Sequence, residues 1–202
     1  MWQVEQAVAA LRAGQPVILP TDTVYGLCAN PFREGPASEI YRLKDRPDTV
    51  PSALLCADVD VLLECVPELS DRDRTYARAL LPGPYTLVLP NPAGRFRWLN
   101  GLARDTIGVR VPSLEGAVRE VLRCVRAVTA TSANRHRGID PRRLDYIPEE
   151  MRAACAVVID GGKLPGIPST VIDLAGPVPR IAREGAVPAA EALERVAAVA
   201  VY

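Results

Sequence analysis

The chain has 202 residues, 49% of them hydrophobic and 24% charged, with 24 Lys and Arg against 24 Asp and Glu. That length and apolar content suit one domain with one sizeable core, and zero formal net charge removes any global electrostatic argument for a nucleic-acid or membrane-surface partner. The start, Met1-Trp2-Gln3-Val4-Glu5, lacks a basic region followed by an apolar one, and no apolar run approaches the ~18 residues of a membrane helix, so a soluble, unprocessed cytoplasmic protein is expected.

In chain order, residues 2–13 read as a helix with Val4, Ala7, Val8 and Leu11 on one face, stopped by Gly14. Residues 16–20 are a short buried strand bracketed by prolines. Residues 37–44 read as a helix that must end before Pro47. Residues 53–57 are a strand, and 58–65 and 70–80 are helices, with Ser70 as N-cap of the second. Pro82-Gly83-Pro84 is a turn. Strands follow at 85–89 and 106–111, separated by a long irregular loop over 91–105. A helix spans 114–126, with Val118, Val121, Leu122 and Val125 at helical spacing, and a strand covers 127–131. Three more strands, 155–159, 169–174 and 180–183, precede a closing helix at 188–198. Strands and helices interleave throughout, so the class is α/β, in one domain over 1–202.

Cys28, Cys56, Cys65, Cys124 and Cys155 are odd in number and form no C-x-x-C pair, which points to free thiols in a reducing compartment. His136 is the single histidine, so a histidine metal site or a Ser-His-Asp triad has little scope, and no metal-binding residues are assigned. Neither a G-x-G-x-x-G after a strand nor a G-x-x-x-x-G-K-[ST] is present. A nucleotide would have to be held by side chains gathered from distant strand ends.

Four segments carry groups suited to that task. Pro20-Thr21-Asp22-Thr23-Val24-Tyr25-Gly26-Leu27 places two threonines and an aspartate after a buried strand; a turn bonding its own backbone is the ordinary reading. Lys44 and Arg46 follow a helix and precede Pro47. In an extended stretch they point the same way and suit phosphate oxygens, whereas the ordinary reading is favourable charge at a helix C-terminus. Thr131, Ser132 and Asn134 stand where a strand meets a loop, suited to an adenine edge or ribose, or simply to a cap. Arg110, in a strand otherwise fit for burial, needs an anionic partner or a ligand, Asp173 being the internal candidate. Ser169, Thr170 and Arg183 add hydroxyls and another cation. The basic run Arg135, His136, Arg137, Arg142 and Arg143 reads as a solvated loop face before a nucleic-acid patch.

Together these strings resemble the YrdC/TsaC family, the threonylcarbamoyl-AMP synthases. The resemblance rests on the run at 20–27, Lys-x-Arg at 44 and 46, Leu-Pro-Gly-Pro-Tyr-Thr at 81–86, Gly-x-Arg-x-Pro at 108–112, Ser-x-Asn at 132–134, Ser-Thr-Val-Ile-Asp at 169–173 and Arg-Glu-Gly at 183–185, in family order from about Val17 to Gly185. It implies a twisted mixed sheet with flanking helices and a concave, positively lined cavity, in the short single-domain form. It also implies a nucleotidyltransferase: threonine takes up carbon dioxide from bicarbonate, the carbamate attacks the α-phosphate of ATP, and pyrophosphate leaves. The product would feed the t6A modification of ANN-decoding transfer RNAs through downstream transferase proteins.

By the same resemblance Lys44 and Arg46 are the catalytic pair. With Arg183 they would bind the ATP phosphates together with Mg2+. Arg110 would hold the threonine carboxylate, and Thr23 and Ser169 would touch the amino-acid end. Thr106, Ser132 and Asn134 would hold the nucleotide. The chain departs from the pattern at Leu55, where many members have histidine, at Val50, where asparagine is common, and at Arg135-His136-Arg137-Gly138, where Ser-Gly-x-Pro is usual and a residue is inserted. Two alternatives stay open: a double-stranded-RNA-binding or ribosome-maturation module, with weak RNA or tRNA binding, and a diverged paralogue without synthase activity. Retention of Ser132 and Asn134 favours the synthase.

Overall fold

The computed structural model describes residues 2–199. Helix α1 (Trp2–Ala13) buries Ala7, Val8, Ala10 and Leu11, the face its spacing predicts. Strand β1 (Val17–Pro20) is wholly buried and turns back on β2 (Tyr25–Ala29), with Val17 opposite Cys28 and Pro20 opposite Tyr25. The sequence does not suggest β2. Every one of its residues is buried, so it lacks the alternation that marks a half-exposed strand, and Thr21-Asp22-Thr23 masks its start.

Helix α2 (Glu34–Leu43) follows, opening earlier than expected because Pro36 fits a first turn. Then come β3 (Ala53–Cys56), α3 (Val59–Cys65), capped by the Asp58 carboxylate, and α4 (Asp71–Leu80), capped by Ser70 as predicted. Strands β4 (Tyr85–Pro90) and β5 (Thr106–Arg110) flank the long loop. Asn91 organises that loop: its side chain accepts from Arg95 N at 3.0 Å and donates to Arg95 O at 2.9 Å.

Helix α5 (Gly116–Val125) leads to β6 (Ala127–Ser132). The short α6 (Glu149–Ala154) was not legible in the sequence, because only Met151 is buried and one contact makes no period. The last elements are β7 (Val157–Val158), β8 (Thr170–Asp173), β9 (Arg180–Arg183) and α7 (Ala189–Val199).

The strands form one mixed sheet in the order β7-β1-β2-β6-β3-β5-β4-β8-β9. The pairs β1–β7, β3–β5 and β4–β8 are parallel and the rest antiparallel. Helices α3, α4 and α7 cover the β4 end of the sheet, where Leu54, Leu62, Leu87 and Leu89 are fully buried; cutting any one to alanine removes about 2–5 kcal/mol. Helices α1 and α5 pack together over β1 and β6 through Leu11, Val118, Val121 and Leu122. Helix α2 closes a third cluster around Tyr25, Leu27 and Ile40. No described helix is long and apolar enough to cross a membrane.

Candidate active site

A cavity of about 300 Å³ lies across the sheet. Its wall repeats every second residue along three strands, Ala53 and Leu55 on β3, Thr86 and Val88 on β4, and Thr106, Gly108 and Arg110 on β5, while the end of β6 adds Ala130, Thr131 and Ser132. That is the period of a pleated strand, so one sheet face supplies the floor. Arg46, Pro168, Ser169 and Arg183 close the sides. Six of the nine residues singled out in the sequence therefore line one cavity: Arg46, Thr106, Arg110, Ser132, Ser169 and Arg183. Thr23, Lys44 and Asn134 are buried behind the wall.

Arg110 is 7% exposed. Its Nη2 donates to the Asp22 carboxylate and, at 2.8 Å, to Thr23 Oγ1, while the other Asp22 oxygen accepts Ser113 N–H at 3.0 Å. The internal partner is thus Asp22, correcting the expected Asp173. Asp173 lies on β8, with β4 between it and β5, and pairs with Arg180 across β8–β9 at 2.5 Å. Burial pushes the Asp22 carboxyl up and the Arg110 guanidinium down, each opposed by the charge of the other. Arg110 Nε is buried without a hydrogen-bond partner.

Lys44 and Arg46 do not form the extended stretch assumed from sequence. Lys44 caps α2 in a helical conformation and Asp45 takes a left-handed φ of 50°. The two cations nevertheless meet at the end of β6. Lys44 Nζ donates to Ser132 O, to Asn134 O at 2.6 Å and to Asn134 Oδ1 at 2.8 Å, so its three protons are all engaged. Ser132 Oγ donates to the same Asn134 Oδ1 at 2.8 Å. Lys44 therefore builds the Ser132–Asn134 turn from behind. Burial, then the Arg46 charge, pulls its ammonium down to about 7, with Asp140 opposing. Arg46 donates to Thr131 Oγ1 at 2.7 Å and to Pro51 O, with its guanidinium 5.8 Å from the Tyr41 ring centre.

At the opposite end Ser169 Oγ and Thr86 Oγ1 lie 2.7 Å apart, and Arg183 Nη2 donates to Ser169 O at 2.7 Å. Thr86 belongs to the 81–86 string, whose residue types alone do not mark it; its place beside Ser169 follows from the parallel pairing of β4 and β8. Asp140 also lines the cavity and no motif marks it. The basic run is largely compensated: Arg135 pairs with Asp45 and Glu150, Arg143 with Asp145, and Arg142 lies over the Tyr146 ring.

The model of the Sua5/YciO/YrdC family, described as "Telomere recombination", matches residues 9–185. The chain belongs to this family. It is 34% identical over 196 residues to a threonylcarbamoyl-AMP synthase of Pyrococcus abyssi, covering 96% of this chain and 57% of that protein. It is 32% identical over 197 residues to a putative threonylcarbamoyl-AMP synthase of Mycobacterium tuberculosis, covering 97% and 88%. The solved P. abyssi Sua5 complexed with L-threonine superimposes with a TM-score of 0.87 at 34% identity, covering 96% of this chain and 57% of that one. The chain spans 57% and 54% of the P. abyssi and Bacillus subtilis synthases it matches.

Leu55, one of the departures from the resemblance, faces the cavity beside Arg110, its register partner across β3–β5, so this part of the wall is apolar. Among the described residues no group of three or more His, Cys, Asp or Glu is placed to hold a metal ion. The donor set does not fit a resident cation.

Proposed function

We propose that this chain is an L-threonylcarbamoyl-adenylate synthase domain, a nucleotidyltransferase that joins L-threonine, bicarbonate and ATP and releases pyrophosphate. The observation that carries this reading is one cavity in which Arg46, Arg110 and Arg183 stand with the hydroxyls of Thr106, Ser132 and Ser169. Its substrates are anions, and in-line attack on a phosphate is catalysed chiefly by positioning and by neutralising charge. The names carried by relatives over most of this chain point the same way.

In this reading Arg46 and Arg183 hold the ATP phosphates and Arg110 the threonine carboxylate. The Ser169–Thr86 hydroxyl pair faces the amino acid, with Thr23 steadying Arg110. Thr106 and Ser132 contact the nucleotide. Lys44 is a positioning residue, holding Ser132 and Asn134 in place. The threonine amine takes up carbon dioxide; the carbamate oxygen bonds to the α-phosphorus, the α–β phosphoanhydride bond breaks, and pyrophosphate carries away the electron pair. The domain works in the cytoplasm and passes its product to transferases that complete t6A on transfer RNA.

The test is pyrophosphate release from magnesium–ATP. Release that needs both L-threonine and bicarbonate, with serine a poor substitute, supports the reading. A folded protein that binds ATP but releases nothing under those conditions refutes it.

A further inference from the structure

Asp140 is the single acidic residue lining the cavity among the described residues; the other charged lining groups are Arg46, Arg110 and Arg183. It stands in the segment that departs from the family's Ser-Gly-x-Pro continuation. The backbone presenting it is pinned: Asn134 Nδ2 donates to Gly138 O at 2.7 Å and to Ile139 O at 3.1 Å, and Tyr25 N donates to Pro141 O at 2.9 Å. Among the described residues Asp140 joins no ion pair and no side-chain hydrogen bond. The cation that feels its charge, Lys44, already has its three protons engaged elsewhere.

A free carboxylate here repels phosphate, bicarbonate and an amino-acid carboxylate alike. Its ligand is a hydrogen-bond donor; in the proposed reading the threonine amine belongs with the Ser169–Thr86 end, whereas the Ser132–Asn134 end next to Asp140 takes the nucleotide, whose ribose offers two adjacent hydroxyls that one carboxylate can accept together. The neighbouring surface suits the rest of a nucleoside. Leu164 N donates to Arg142 O at 2.8 Å and Gly166 N to Thr23 O at 2.9 Å, so the chain near 141–142 and 164–166 lies against 23–25, where Val24 lines the cavity. Ile139, next to Asp140 in the chain, is 83% exposed and offers apolar surface beside the carboxylate.

We propose that Asp140 is a ribose-binding residue, accepting the 2′- and 3′-hydroxyls of the nucleotide, and that through it the cavity selects ribonucleotides over deoxyribonucleotides. This rests on the nucleotide-binding part of the proposed function. The experiment is calorimetric titration of the full chain with AMP and with 2′-deoxy-AMP, in EDTA to remove metal. Wild type should prefer AMP by about tenfold, the usual weight of a hydrogen bond to a charged group. Asp140→Ala should lose that preference through weaker AMP binding, with 2′-deoxy-AMP nearly unchanged, and Asp140→Asn should fall between. Unaltered melting temperatures establish that both variants are folded. Discrimination that survives in Asp140→Ala overturns the proposal, as does a loss seen only for ATP with Mg2+, which would make Asp140 a metal ligand. Wild-type protein that binds neither AMP nor ATP fails the nucleotide reading itself, and this inference with it.

Discussion

Arg110 and Asp22 form an ion pair inside the cavity wall although 88 positions separate them, tying the β1–β2 turn to the end of β5. Replacing Asp22 by alanine leaves a buried guanidinium with only Thr23 Oγ1 as an acceptor. Breaking such a pair from one side destabilises by about 3 kcal/mol, whereas removing both charges is nearly neutral. Urea denaturation should therefore show Asp22→Ala strongly destabilised and Asp22→Ala/Arg110→Met largely restored. A double variant as unstable as the single one would mean that Asp22 acts through Ser113 instead.

Arg46 and Arg183 both line the cavity, Arg46 half-buried and Arg183 exposed. Under the proposed function, Arg46→Ala and Arg183→Ala should each weaken ATP binding about tenfold or more, the weight of one charge-assisted phosphate contact. Melting temperatures should move little. The double variant should lose less than the sum if both arginines hold the same phosphate group. Titration with ATP at fixed ionic strength measures all three.

The stability of the fold should depend on pH through Lys44. Its ordinary value is 10.5 and burial lowers it to about 7. Between these values the unfolded chain holds the proton and the folded chain has released it. Raising the pH across that window therefore stabilises the folded state, and the burden of a buried ammonium is greatest below about 7. Wild type should gain on Lys44→Met between pH 7 and pH 10 in paired denaturation curves. A flat difference would show that Ser132 and Asn134 keep the ammonium charged throughout.

Gly185→Ala should damage the Ser169 end of the cavity. A methyl group at 185 would meet Pro168 O and stand 2.5 Å from Ser169 C, backbone that cannot yield without moving the Ser169–Thr86 pair. The variant should lose both stability and response to L-threonine. Gly94→Ala is the control for loss of a glycine, because nothing stands within 4 Å of its would-be methyl group. Its left-handed φ of 60° makes it a stringent one, since it carries backbone strain but no clash.

The sequence is most legible where a period or a cap is written into it. Helix α1, the Ser70 cap and β5 came out as expected because apolar spacing and a hydroxyl suffice to specify them. Strand β2 and helix α6 were missed for opposite reasons, one buried on all sides and the other on almost none. The site was legible as a set of residue types in order, but not as front and back. Nothing in the string Lys44-Asp45-Arg46 says that Arg46 lines the cavity while Lys44 lies behind it; the left-handed turn at Asp45 decides that. The partner of Arg110 was likewise set by strand order, since Asp173 is one strand too far away.

The cavity draws its lining from Thr21 through to Arg183, over β2, β3, β4, β5, β6, β8 and β9. Its lining is thus scattered over about 160 positions of sequence, so a ligand that fills it binds the assembled sheet. A ligand at a hundred times its dissociation constant then adds about 2.7 kcal/mol to the stability of the whole domain. A ligand bound in this way would lower the population of open states that proteases cut, so its supply would set the lifetime of the protein as well as its occupancy.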